Sequence, residues 1–133
     1  MRFMLQVITK PYDEAIPPEE VDRVNAMMKY NEELQKAGIL LALDGLDAPT
    51  RGARITYQGG KPTVKDGPFP EAKEVLGGYW IIDVRSREEA IEWAKRAPMS
   101  NEETMEVRHV MDTADYPDAV QDAIASLEDL NRR

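Results

Sequence analysis

The chain has 133 residues, 42% of them hydrophobic, which suits one domain with a real core rather than two. Seventeen Lys and Arg against 25 Asp and Glu leave a net charge of −8. With no basic stripe to release counterions from phosphate, neither nucleic acid nor an anionic membrane is an expected partner. The lack of cysteine excludes disulfides, thiolate catalysis and cysteine metal sites.

The first stretch, FMLQVI (3–8), is short, apolar and partly β-branched, and Thr9-Lys10-Pro11 closes it; it reads as a strand. It is too short for a signal peptide's apolar region or a membrane span, so a cytoplasmic location is the expectation. PPEEVDRVNAMMKYNEELQKAG (17–38) opens with prolines and acids and repeats Val21, Val24, Met27, Met28, Leu34 and Ala37 at three- and four-residue steps. That spacing predicts an amphipathic helix ended by Gly38, with Ile39 as the apolar contact beyond it.

ILLAL (39–43) reads as a buried strand running into Asp44-Gly45. ARITY (53–57), Gln58-Gly59-Gly60-Lys61 and PTVK (62–65) read as a hairpin with a glycine turn. GYWIIDV (78–84) is a further strand. Ser86 and Glu89 then have capping-box spacing and open a helix whose Ala90, Ile91, Ala94 and Ala97 face inward, stopped by Pro98. TMEVRHVM (104–111) alternates as a final strand, and residues 117–131 form a short amphipathic helix.

The order is β-α-β, a hairpin, β-α-β and a terminal helix. It predicts an α+β fold, a ferredoxin-like α/β sandwich with an antiparallel sheet and two main helices, plus the extra C-terminal helix. Residues 1–112 form the domain and 113–133 the helical extension. In FMLQVI, ILLAL and GYWIIDV both parities are largely apolar, whereas a sheet face open to water should alternate. The face away from the helices therefore needs the C-terminal helix, a second subunit, or both; a homodimer with facing sheets is the preferred expectation.

Candidate chemistry centres on VKDGPFPEAKEVLGGYW (64–80). Gly67 permits a turn of positive φ, Pro68 fixes the next φ, and Pro70 extends Phe69, so the ring sits on a stiffened loop. Either Phe69 plugs the core and Asp66 caps the turn, or Phe69 lines a pocket that Asp66 faces. Asp44, beside Gly45, is either a turn residue or the second member of a catalytic carboxylate pair with Asp66. Lys73 and Glu74 lead toward Gly77-Gly78, where backbone could approach a ligand closely; with Phe69 and Tyr79 they complete the candidate ligand-binding set.

His109 shares strand parity with Met105, Val107 and Met111 and reads as a partly buried interface histidine rather than an acid–base group. One histidine and scattered carboxylates predict no metal site. No glycine-rich phosphate loop, nucleophile elbow or flavin motif is present, so no cofactor is expected.

DGPF (66–69), the trailing KEVLGGYWIIDV, EEAIEWAKRAP and EVRHVMD, in that order, carry a resemblance. The chain resembles the YCII-related proteins, in their DGPF-domain branch, over roughly residues 2 to 112. The resemblance implies a ferredoxin-like domain of the dimeric α/β-barrel type, with a cleft between its elements. Many relatives pair a histidine on the first helix with an acidic residue; counted back from Gly38, that place falls at about Met27, so the dyad is missing here. Some relatives of the branch are linked or fused to extracytoplasmic-function sigma factors. Two functional expectations follow. One is binding of a small molecule in a cleft near the DGPF loop, with cofactor-independent catalysis within its scope. The other is a non-catalytic interaction module serving sigma-factor-linked transcriptional regulation.

Overall fold

A computed structural model describes residues 1–14, 16 and 18–130. Pro17, assigned above to the start of the first helix, residue 131, assigned to the end of the last, and residues 132–133 of the expected extension lie outside the described residues.

The chain folds as a ferredoxin-like α+β domain. Strand β1 (Arg2–Thr9) lies inside a four-stranded antiparallel sheet between β5 (Val75–Asp83) and β6 (Thr104–Val110), and β2 (Leu40–Gly45) flanks β5, giving the order β2-β5-β1-β6. β3 (Ala53–Gln58) and β4 (Lys61–Asp66) form a separate hairpin between β2 and β5. Helix α1 (Val21–Lys36) packs on β2, and α2 (Arg87–Lys95) on β1 and β6.

Strand parity builds the core. Phe3, Leu5 and Val7 alternate onto one face, and the register brings Ile82, Trp80 and Gly78 of β5 beside them. Tyr30 and Leu34 of α1 and Ala90 and Ala94 of α2 join the same cluster, so both helices cover that face. The other face carries Met4, Ile8, Tyr79 and Ile81, each half-buried, among charged neighbours such as Arg108.

Both main helices end as their sequences require. α1 closes in a Schellman motif: Gly38 adopts φ +74° and donates to the Gln35 carbonyl, while the Ile39 amide donates to Leu34. Its first turn differs from the expected helix. No capping side chain is present, and Pro18–Glu20 tighten into a 3-10 turn. At α2, Ser86 Oγ accepts from the Glu89 amide at 3.1 Å, and Glu89 reaches back to the Arg85 amide rather than to Ser86's own.

Two further differences are informative. β5 starts at Val75 rather than at Gly78, so Gly77 as well as Gly78 lies inside the strand. A Cβ on Gly78 would stand 2.9 Å from the Asp44 carbonyl, so it is the β2 backbone that approaches here. The terminal helix is divided into α3 (Asp118–Ile124) and α4 (Leu127–Leu130), and α3 packs chiefly on the 3-10 turn Thr113–Asp115 just before it. No helix among the described residues is long and apolar enough to cross a membrane.

Candidate functional site

Between α1 and the β2 edge of the sheet lies a cleft of about 770 Å³. Val24, Met27, Met28 and Asn31 of α1 line it together with Val7, Leu43 and Trp80 from the strands. These positions follow from helical spacing meeting strand parity: the apolar stripe of α1 turns toward the sheet, and Leu43 pairs with Trp80 in register. Asn31 is the buried polar residue of this wall. Its Oδ1 accepts from Trp80 Nε1 at 2.7 Å, and its Nδ2 stands 3.6 Å from the Met28 sulfur.

The cleft mouth is charged. Arg23 is held by both oxygens of Glu103 at 2.7 Å and by Glu20 at 3.1 Å. Nη2 serves both Glu103 oxygens and Nη1 serves Glu20, so two carboxylates hold the guanidinium at the cleft lining; although partial burial opposes it, those carboxylates keep its pKa raised. Tyr12 donates to the Leu46 carbonyl at 2.7 Å, and loss of water together with nearby Asp47 raises its pKa. Asp47 is held below the usual carboxylate range by the Ala48 amide and by Arg51.

Asp44 and Tyr79 border the same cleft. Tyr79 Oη donates to Asp44 Oδ2 at 3.1 Å, and that bond raises the Tyr79 pKa above the ordinary tyrosine range. Register pairs them on the sheet face opposite Leu43 and Trp80, so they edge the cleft rather than floor it.

The other candidates stand elsewhere. Phe69 is 8% exposed, with the Arg54 guanidinium 4.2 Å from its ring centroid, and with Pro68, Pro70 and Pro49 it lines a smaller cavity of about 180 Å³. Tyr12 borders both cavities. Asp66 is exposed at the end of β4, opposite Ala53, and with Lys73 and Glu74 lines neither cavity. The structure thus brings Asp44 together with Tyr79, not with Asp66. Gly67 also differs from expectation, since its φ is not positive. Its amide donates to the Gly52 carbonyl at 2.9 Å, and a Cβ there would fall 1.9 Å from the Pro49 carbonyl oxygen. The glycine serves close approach between two loops. The Gly67–Pro68 peptide bond is cis.

The model of the YCII-related domain matches residues 1–114 of this chain. The chain belongs to the YCII-related family. It is also 33% identical over 87 residues to an uncharacterised protein of Rhizobium meliloti (strain 1021), covering 65% of this chain and 70% of that protein.

In this YCII-related chain Met27 lies in the cleft wall and packs against the core, so a thioether that carries no proton stands where the resemblance places a histidine. His109 is on the opposite edge strand, with its ring 5.2 Å from that of Phe3. Sequence spacing gives only scattered carboxylates for a metal, yet the fold gathers His109, Asp112 and Asp115, whose potential ligand atoms lie within 4.8 Å of one another. Local contacts already use these groups: Asp112 and Asp115 cap each other's backbone, and Arg2 donates to Asp112 at 2.8 Å. Sequence reasoning missed Asn31, Arg23 and Glu103. Asn31 was detectable as the one polar side chain at the helical spacing of Val24, Met27 and Leu34; the Arg23–Glu103 pair joins distant segments and leaves no local pattern.

Proposed function

We propose that this protein binds a small, largely apolar molecule in the cleft between α1 and the β2–β5 edge of the sheet. The observation that carries the reading is the lining of that cleft: a mainly apolar surface from a helix and three strands, with Asn31 buried in its wall and charged groups such as Arg23, Glu103 and Asp44 also bordering it. Such a wall removes an apolar ligand from water while the rim orients its polar end. The bound molecule's polar end meets Tyr79–Asp44 on one side and the Arg23–Glu103 pair on the other. With Met27 in place of a proton carrier, the cleft is suited to holding a ligand rather than to histidine acid–base chemistry.

The protein acts as a homodimer in this reading. Met4, Ile8, Tyr79 and Ile81 form a half-buried apolar group on the sheet face away from α1 and α2, and a second copy's sheet would remove it from water.

Trp80 lines the cleft and the chain has one other tryptophan, Trp93. A Trp93→Phe variant therefore reports on the cleft by fluorescence. Titration with a panel of small apolar carboxylates, amines and alcohols is expected to give a saturable change for at least one class, lost when Val24→Phe/Met27→Phe narrows the cleft. A panel without any saturable response, or a response that Val24→Phe/Met27→Phe leaves unchanged, would remove the cleft as the site.

A further inference from the structure

The cleft between α1 and the β2 edge is rich in hydrogen-bond acceptors and poor in free donors. Five carboxylates line it, those of Glu14, Glu20, Asp44, Asp47 and Glu103, against the single guanidinium of Arg23, a net of −4. Counting Arg51, which pairs with Asp47 at 3.0 Å from outside the lining, still leaves −3. An incoming anion would have to displace Glu103 and Glu20 from Arg23, which they hold at 2.7 and 3.1 Å. The aromatic donors are committed as well: Tyr12 to the Leu46 carbonyl, Tyr79 to Asp44 and Trp80 to Asn31. Acceptors, by contrast, are in surplus. Asp44 takes one side-chain hydrogen bond, from Tyr79, and neither Asp44 nor Glu14 has an ion-pair partner among the described residues.

We infer that the molecule this cleft takes is an apolar cation. It is an aliphatic or arylalkyl amine, protonated at neutral pH, whose ammonium is accepted by Asp44 and Glu14 while its hydrocarbon part lies along Met27, Leu43 and Trp80. An ammonium brings three donors and no acceptor, which complements a lining with the opposite imbalance. A carboxylate brings acceptors only and adds a like charge. An alcohol matches the apolar wall but gains nothing from the rim's charge. The chain's net charge of −8 also draws cations toward the mouth.

The sign of the ligand's charge rests on the cleft being the binding site, and one set of titrations separates the two. Hexylamine, hexanol and hexanoate share a hydrocarbon chain and differ in the head group. Isothermal titration at neutral pH and low salt is expected to give an affinity for hexylamine about tenfold or more above that for either of the others, an advantage that shrinks as salt is added. Glu14→Gln/Asp44→Asn keeps the size of two exposed side chains and should fold; it is expected to reduce the amine-to-alcohol affinity ratio about tenfold. Equal affinities for the three head groups, or a preference for hexanoate, overturn the cation and leave the cleft standing. So does a preference for hexylamine that Glu14→Gln/Asp44→Asn leaves unchanged. Hexylamine binding that survives Val24→Phe/Met27→Phe is counterion binding on the acidic surface and overturns cation and cleft together, as does the absence of binding by all three.

Discussion

Trp80 Nε1 donates to Asn31 Oδ1 at 2.7 Å inside the core, tying β5 to α1 at the wall of the cleft. Each partner satisfies a polar group that burial would otherwise orphan. Asn31→Leu leaves the indole N–H without an acceptor and is expected to cost about 1–3 kcal/mol in urea unfolding. Adding Trp80→Phe to Asn31→Leu should cost less than Trp80→Phe alone, because the orphan has already been created. Strictly additive costs would show that the bond contributes nothing of its own.

Tyr30 supplies a pH dependence. Its hydroxyl donates to the Trp93 carbonyl at 2.7 Å, and burial pushes its pKa from 10.0 up to about 12. The folded state therefore holds this proton more tightly than the unfolded chain does. The stabilisation is complete below pH 10 and is lost as the pH rises toward 12, at about 1.4 kcal/mol per pH unit. Tyr30→Phe should lose about 1 kcal/mol at neutral pH with the hydrogen bond and should flatten the alkaline slope relative to the unmodified chain. Equal slopes in guanidinium unfolding from pH 9 to 12 would contradict this (a range of about three units set by the same shift).

Gly67 is fixed by space. With the Pro49 carbonyl oxygen 1.9 Å from the position of a Cβ, Gly67→Ala must part the loops at 49–50 and 67–69. The expected cost is about 3 kcal/mol or more, the upper end for overpacking. A thermal melt within a degree or so of the unmodified chain, well inside the shift expected for 1 kcal/mol, would show that the loops separate freely.

Phe69 and Asp66 should behave oppositely although only two residues separate them. Phe69→Ala empties a buried site against three prolines and is expected to cost about 2–4 kcal/mol. Asp66 is exposed and has no side-chain hydrogen bond or ion pair among the described residues, so Asp66→Asn should stay within about 0.5 kcal/mol. Marked unfolding by Asp66→Asn in chemical denaturation would make that carboxylate part of the turn's architecture.

The architecture was legible because local patterns carry it. The stripe of α1, the parity of Phe3, Leu5 and Val7, and the Ser86–Glu89 cap each appear within a few neighbouring residues. What escaped was set by pairs distant in sequence. Gly67 and Gly78 are glycines because of carbonyls at Pro49 and Asp44, which no local rule connects to them. The grouping of Asp44 with Asp66 failed for a similar reason: both end strands beside a glycine, but β4 belongs to the hairpin and β2 to the main sheet. Tyr79 and Asp44 meet because β5 is the neighbour of β2, a consequence of sheet order. Counting back from Gly38 reaches Met27, and the structure puts that side chain in the cleft wall.

The interior position of β1 has a consequence for how the chain reaches this structure. Phe3 is paired on one side with Ile82 and on the other with His109, so this strand has no sheet neighbour until β5 and β6, far along the chain, have been made. Loop-closure entropy must be met before these long-range ladders give any return, which slows folding relative to a helical bundle of equal length. Until those strands are in place Phe3, Leu5 and Val7 lack the neighbours that bury them, whereas α1 can form from local contacts alone.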